Sequence, residues 1–392
     1  MARTRLRRPA SSGAAALRRF QEKAGLDGGE LTALAADVDG LPAAGWCAGA
    51  VVLAGRGPYI ALEHATGWAL RYGSYDPEAA DGEGRGVELP REKWLPMGAD
   101  TVFDLASITK VFTAVAAVQQ IERGTLELDA PVTRYAEDGV PAPDHGITVR
   151  HLLAHTSGLR AELPLYEYNT AEHAELLWRE PPLTDPGESY RYSDLNPLLL
   201  QRILERVTER PLDVLVRDGI TRPLGMDRTR FCPPRGWRAR IAATEDQRKP
   251  WAKLNRGLVH GRVHDENAYA MAGVAGHAGL FSTAYDLAVL CRALLSGGAY
   301  GQARILSPSS VALLLEPPGL GLPAGDRARW FTGSLSGRAA GHTGFTGTSL
   351  VLDPVTDTFL VLLANTVHPV RTPADNTPRL TAAAHLAEAV LA

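Results

Sequence analysis

The sequence predicts an α+β fold in which β-structure at both ends of the chain brackets a mostly helical middle. Two observations carry this. Short apolar segments separated by glycine or Asp-Pro turns occur at residues 48–64 and again at 338–363, whereas apolar residues recur at helical spacing between 107 and 219. A chain of 392 residues has room for two or three structural units around a large core. At 45% hydrophobic and 22% charged residues, the composition is that of an ordinary soluble globular protein.

Composition also narrows the function. A formal net charge of -3 offers nothing to a nucleic acid, and no run reaches the ~18 apolar residues of a membrane span. The 11 histidines and 3 cysteines show no metal-ligand spacing, so neither a metal nor another cofactor is expected. Cys47, Cys232 and Cys291 are scattered and odd in number, which argues against a disulfide framework and for a reducing, cytoplasmic setting.

The elements follow in order. Arg3, Arg5, Arg7 and Arg8 make the N-terminus basic, but only Ala14–Leu17 is continuously apolar before Arg18, short of the ~7 to 15 residues of a signal-peptide core. Residues 1–15 are therefore expected to form a disordered tail, followed by one helix over Ala16–Asp37. Two strands about Gly55–Pro58 form a hairpin, and residues 73–100, rich in Gly, Pro, Asp and Glu, read as a surface loop. A helix then runs to Gly124, a natural C-cap. A short helix starts at the N-cap Thr148 and ends at Gly158. Further helices cover Ala171–Glu180, Asn196–Thr208 and Leu212–Gly219. Strands return at Arg338–Gly341, Thr348–Leu352 and Thr358–Leu363, and a helix over Pro378–Ala392 closes the chain.

The chemistry concentrates at Phe103-Asp-Leu-Ala-Ser107-Ile-Thr-Lys110. Residues three apart on a helix share a face, so Ser107 Oγ and Lys110 Nζ can meet, and the helix start favours a developing alkoxide. Lys110 must be neutral to take a proton, and burial against Val111, Val115 and Val118 is expected to favour that form. With five lysines (Lys23, Lys93, Lys110, Lys249, Lys253) and 15 serines, about 0.2 such pairs arise by chance, and this is the one present. A lysine snorkelling from an ordinary amphipathic helix is the alternative, less favoured reading of the pair. Tyr192, in Tyr192-Ser-Asp194 at the lip of a helix, suits a general acid or base, or else packs in a loop. His342-Thr343-Gly344 ends a strand, and Gly344 allows close approach of a ligand, or simply turns the chain.

Taken together and in this order, these pieces resemble the serine β-lactamase and D,D-peptidase superfamily, in its class C-like branch of esterases, D-aminopeptidases and acyltransferases. The connecting segments are similar too: Gly124-Thr-Leu-Glu-Leu-Asp-Ala-Pro-Val132, Val149-Arg-His-Leu-Leu-Ala-His-Thr-Ser-Gly-Leu159, Gly276-His-Ala-Gly-Leu-Phe-Ser-Thr283 and Gly341-His-Thr-Gly-Phe-Thr-Gly-Thr-Ser349. The resemblance implies a β-lactamase/transpeptidase-like architecture: an antiparallel sheet unit from 16–104 and 285–392, and an inserted helical unit from 105–284, with the site between them. It implies Ser107 as nucleophile, Lys110 as base and Tyr192 as proton shuttle. The oxyanion hole falls to the backbone N–H groups of Ser107 and Phe345, and substrate contacts to Asp194, His342, Thr343 and Gly344. The implied substrate is a small ester, amide or lactam processed through an acyl-enzyme, by an esterase-like hydrolase or alternatively an acyltransferase, a β-lactamase or a D-amino-acid peptidase. A non-catalytic acylated sensor is a further alternative. Neither the acyl group nor the oligomeric state can be read from the sequence.

Two positions depart from the β-lactamase pattern: His342 replaces a lysine and Asp194 an asparagine. Both make the site less positive, so neutral or amine-bearing substrates are expected to be preferred over anionic β-lactams. His151 and His155 resemble residues that hold the helical unit beneath the site. The cluster His264-Asp265-Glu266-Asn267 either reaches the substrate or bonds within its loop, and Arg371 is taken as an exposed arginine. The competing Gly-x-Ser-x-Gly elbow is absent, Gly347-Thr-Ser349-Leu-Val351 lacking its last glycine.

Overall fold

The computed structural model describes residues 5–9, 14–79, 84–371 and 375–391. Its frame is a six-stranded antiparallel sheet of β1 (Gly49–Arg56), β2 (Tyr59–Leu70), β3 (Leu95–Pro96), β4 (Ala340–Gly344), β5 (Thr348–Asp353) and β6 (Thr358–Ala364), in the order β4-β5-β6-β1-β2-β3. The two ends of the chain meet where β1 pairs with β6, from Ala50 opposite Ala364 to Arg56 opposite Thr358. The period-2 geometry of a strand then sends alternate residues to two different cores. Val51, Leu53, Leu350, Leu352, Val361 and Leu363 enter the large core shared with the helical region, whereas Ala50, Val52, Val351, Leu360 and Leu362 enter a smaller one. Both faces are covered, which explains why these strands read as continuous apolar runs.

The smaller core is closed by α1 (Ala14–Ala24), α2 (Gly28–Gly40) and α7 (Thr377–Ala389). The single helix expected over Ala16–Asp37 is two. Gly25 takes a φ of 62°, which ends the first helix, and Asp27 starts the second by accepting from the Glu30 N–H at 2.9 Å. The tail expected to be disordered is anchored over residues 5–9: Leu6 is buried with its N–H on the Tyr300 hydroxyl at 3.1 Å, and Arg7 bridges Tyr59. The rest of that tail, 1–4 and 10–13, lies outside the described residues. The loop expected at 73–100 holds a hairpin, Tyr72–Asp76 with Arg85–Glu88, and the edge strand β3.

The larger core surrounds α3 (Thr109–Glu122), which is buried on every side from Thr109 to Gln120. A helix buried on all of its faces can only be central. Against it packs α5 (Leu195–Thr208), with α4 (Val149–Ala154) on α5 and α6 (Ala284–Leu295) against the sheet. Thr148 caps α4 as expected, with His151 completing the capping box, but the helix ends at His155, whose φ of 53° replaces the expected stop at Gly158. The start of α3, the start of α5 and the end of β4 converge on one cleft.

Candidate active site

The turn that presents Ser107 is built by Asp104. This aspartate ends a short strand, Phe103–Asp104, paired with Leu280–Ser282. Its carboxylate accepts from the N–H of Ala106 at 2.9 Å and of His264 at 2.6 Å. Burial pushes the Asp104 carboxyl above its ordinary range, and the two N–H groups oppose that. Ala106 adopts a φ of 46°, a left-handed conformation that costs a non-glycine residue about 1 kcal/mol and is held by the surrounding bonds. Ser107 follows in a 3₁₀ turn, Ala106–Ile108, that runs into α3.

The β4 edge presses onto the same turn. Thr346 and Thr348 hydroxyls donate to the Asp104 and Leu105 carbonyls at 2.7 and 3.1 Å. A Cβ on Gly344 would stand 2.1 Å from Thr348 Oγ1 and 2.4 Å from the Leu105 carbonyl oxygen, so only glycine fits. This puts His342, Thr343, Gly344 and Phe345 along one wall of a cleft of about 440 Å³, with Ser107 and Tyr192 also lining it.

At the floor, Lys110 Nζ donates to Ser107 Oγ at 2.9 Å and to the His277 carbonyl at 3.1 Å, and lies 2.8 Å from Asp194 Oδ1. The Lys110 side chain is 2% exposed. Burial pulls it toward the neutral form, but Asp194 and then Tyr192 more than reverse this, and the ammonium is held above its ordinary value. The expectation that burial leaves Lys110 neutral is therefore corrected for the resting site. Asp194, which burial pushes up, is drawn below the usual carboxylate range by Lys110 and His277.

The Tyr192 ring lies 5.0 Å from Lys110 Nζ, centroid to nitrogen, and stacks on His155 at 4.9 Å. Its phenol is pushed up by burial, with Lys110 opposing, so it stands protonated. His155 is neutral, driven down to about 3 by burial, and its Nδ1 accepts from the Ser193 N–H at 3.2 Å. It thus fixes the Tyr192-Ser-Asp194 loop, and Asn196, in the first turn of α5, also bonds that ring at 3.0 Å. His342 is likewise neutral, at about 4 through burial. Its Nδ1 faces the Thr343 carbonyl at 2.7 Å and must donate there, leaving Nε2 as an acceptor.

Several ambiguous residues resolve into a buried network behind Phe345. His264 Nε2 meets Glu245 at 2.8 Å, Arg371 pairs with Glu245 at 2.8 Å and with Glu266, and Asp265 meets His277 Nε2 at 2.8 Å. Asn267 ties the loop at Leu163 and Tyr166. Arg371 is therefore engaged rather than free at the surface. The Phe345 ring stacks on His264 at 5.6 Å and under the Arg371 guanidinium at 5.6 Å, so the network supports the wall without lining the cleft.

Sequence reasoning missed the opposite wall: Trp46, Trp330, Phe331, Asn376 and Arg379. Arg379, one turn into α7, donates to Asn376 Oδ1 at 2.7 Å and to the Gly344 carbonyl at 3.3 Å, and its Nε finds no acceptor among the described residues. Burial lowers it to about 10. No carboxylate among the described residues lies within ion-pair distance of it. The two departures are therefore not the whole charge of the cleft: Asp194 is paired with Lys110, and Arg379 stands in the wall with Asp375, also on the cleft, acting on it from beyond ion-pair distance.

A family model described as Beta-lactamase matches residues 34–385, most of the chain. The chain belongs to the β-lactamase family. As a member of it, within the serine β-lactamase and transpeptidase superfamily, the chain is a serine hydrolase that works through an acyl-enzyme on small substrates. Among similar sequences is a putative D-alanyl-D-alanine carboxypeptidase of Escherichia coli O157:H7, 35% identical over 315 residues, covering 70% of this chain and 72% of the relative. One from Salmonella agona (strain SL483) is 32% identical over 312 residues, covering 71% and 72%. The fold is shared with EstCE1, a hydrolase with promiscuous acyltransferase activity (TM-score 0.68, 22% identity, 92% of this chain and 99% of that one). It is shared equally with a class C β-lactamase from Rhodobacter sphaeroides (0.68, 23%, 92% and 100%). No helix among the described residues is long and apolar enough to cross a membrane.

The Asp104 contacts yield a test. Asp104→Ala strands two buried N–H donors, each worth ~1–3 kcal/mol, and releases the strained Ala106 turn. The variant is expected to unfold at lower denaturant and to react with a fluorophosphonate more slowly than wild type; unchanged stability and labelling rate would show that the turn stands without this carboxylate.

Proposed function

We propose that Ser107 is the nucleophile, with Lys110 as its base and Tyr192 as the proton carrier to the leaving group, acting on an ester or amide. The observation that carries this reading is the 2.9 Å contact between Ser107 Oγ and a lysine nitrogen buried at the floor of the cleft. Ser107 Oγ attacks the carbonyl carbon as its proton passes to the Lys110 amine. The carbonyl electron pair moves onto oxygen, between the N–H groups of Ser107 and Phe345. Collapse breaks the bond to the leaving group, which takes the proton from Lys110 through the Tyr192 hydroxyl, and water releases the acyl group. Thr343, Gly344 and the neutral His342 line the substrate along β4.

An alcohol or amine replacing water makes the same intermediate an acyltransferase, and product analysis with added alcohols separates the two. Three unpaired cysteines, two of them buried, support a cytoplasmic setting. Ser107→Ala tests the nucleophile: fluorophosphonate labelling, read by intact mass, and ester turnover are both expected to vanish. A label on another serine would overturn the assignment.

A second reading is favoured by Arg379. A guanidinium in an apolar, aromatic wall suits a substrate with a carboxylate beyond the scissile bond, as in a β-lactam or a peptide C-terminus. Arg379→Ala is expected to raise KM for an anionic ester at least ~10-fold, the low end for losing a charged hydrogen bond, and to leave KM for its neutral methyl analogue within about 3-fold. An equal change for both would remove Arg379 from substrate recognition.

A further inference from the structure

Among the described residues ten large hydrophobic side chains stand exposed, and four of them, Tyr190, Tyr192, Trp330 and Phe345, line the cleft that holds Ser107. Exposed apolar side chains scattered singly need no explanation, whereas several gathered in one concavity mark a binding site. Three of the four are engaged by other parts of the site. Tyr192 stacks on His155, the Phe345 ring is backed by His264 and Arg371, and the Arg327 guanidinium covers Tyr190 at 4.6 Å. Trp330, 50% exposed, meets only the ring of Phe331, edge-on at 4.9 Å and 75°.

The exposure of Trp330 is built into its mount. It belongs to a short helix, Arg329–Thr332, in which Phe331 is buried in the smaller core with Ala328 and Leu335. Adjacent residues of a helix point about 100° apart, so anchoring Phe331 turns Trp330 away from that core. The Thr332 hydroxyl donates to the Ala328 carbonyl at 3.2 Å, and the Gly325 N–H donates to the Ala339 carbonyl at 2.9 Å. A bridge between Ala324 and Ala340 fastens the same segment to the start of β4, the strand whose other end carries His342, Thr343 and Gly344. The indole is therefore a large flat surface on a fixed support. The guanidinium groups of the cleft are laid on other rings, Arg327 on Tyr190 and Arg379 over Trp46 at 5.9 Å, and among the described residues none covers Trp330.

We propose that Trp330 is a specificity-determining residue that stacks on a planar ring of the substrate, so that the preferred ester or amide carries an aromatic ring on one side of its scissile bond. This rests on the reading of Ser107 as nucleophile. A tryptophan already held in place gives up little entropy when it offers its face. A ring laid on it gains a stacking energy beyond the burial of apolar area, and a saturated ring of similar size gains the burial alone. The cleft, at about 440 Å³, falls within the ~300–1,000 Å³ of ordinary small-molecule sites and has room for such a ring beside the reacting carbonyl.

The test is the protection of Ser107 from a fluorophosphonate, read by intact mass, by two matched pairs of neutral amides. N-benzylacetamide and N-(cyclohexylmethyl)acetamide place the ring on the leaving group; phenylacetamide and cyclohexylacetamide place it on the acyl group. A compound protects whether it is turned over or only bound. In the wild type the aromatic member of one pair is expected to halve the labelling rate at a concentration at least ~3-fold below that of its saturated partner, within the ~3- to 10-fold that stacking adds, and the pair that shows it assigns the side. Trp330→Leu, apolar but not flat, should abolish the preference, and Trp330→Phe should keep it, while both label within about 3-fold of the wild-type rate when no amide is present. A preference under ~3-fold in both wild-type pairs, or no protection by any of the four, would overturn the proposal even if a variant fails to fold. So would a preference that survives in Trp330→Leu, or one lost equally in Trp330→Phe. A wild-type label on a serine other than Ser107 would instead overturn the assignment of the nucleophile.

Discussion

A lysine buried to 2% exposure in a protein core is costly unless something answers its charge, and the contact between Lys110 and Asp194 is the answer on which this site depends. Removing one partner from such a pair commonly costs ~3–5 kcal/mol, because the other is left charged and dry. The fold is arranged to prevent that. The central helix α3 brings Lys110 and Ser107 up together, the start of α5 delivers Asp194, and the loop at Gly276–His277 adds a carbonyl. Each comes from a different part of the helical region, so the site exists only when that region is packed.

The opposite side of the cleft is held by contacts of another kind. The strained turn before Ser107 and the end of β4 are locked to one another by Asp104, Thr346, Thr348 and the absence of a side chain at Gly344. Behind Phe345 stands the network of His264, Glu245, Arg371 and Glu266, in which Glu245 is drawn down to about 2 against its burial by His264 and Arg371. The two N–H groups proposed to bind the oxyanion are thus carried by segments that share bonds, and a shift of one is transmitted to the other. A rigid donor pair of this sort needs no reorganisation when charge develops.

Much of this was legible in the sequence because it is periodic or local. The strands near β1 and β4–β6, the central helix and the Ser107–Lys110 spacing all follow from patterns within a few residues. What escaped depends on distance along the chain. The break at Gly25 and the hairpin of Tyr72–Asp76 with Arg85–Glu88 sit in glycine-rich, low-contrast segments, where turn and strand compositions overlap. The charge state of Lys110 was misjudged because burial was visible in the flanking valines and the partner, 84 positions away at Asp194, was not. Arg379 was missed for the same reason: nothing in the helix Thr377–Ala389 announces that its first turn faces Ser107 across a cleft.

The whole site rests on Lys110 being an ammonium at rest, and that can be observed without turnover. The chain has five lysines (Lys23, Lys93, Lys110, Lys249, Lys253), so lysine labelled with ¹⁵N at Nζ gives a spectrum simple enough to assign by single substitution. Titrated from about pH 6 to pH 10, a span that stops just short of the ordinary lysine value, the Lys110 resonance in the wild-type protein should keep the shift of an ammonium throughout. A wild-type Lys110 that titrates to the free amine near neutrality would contradict it.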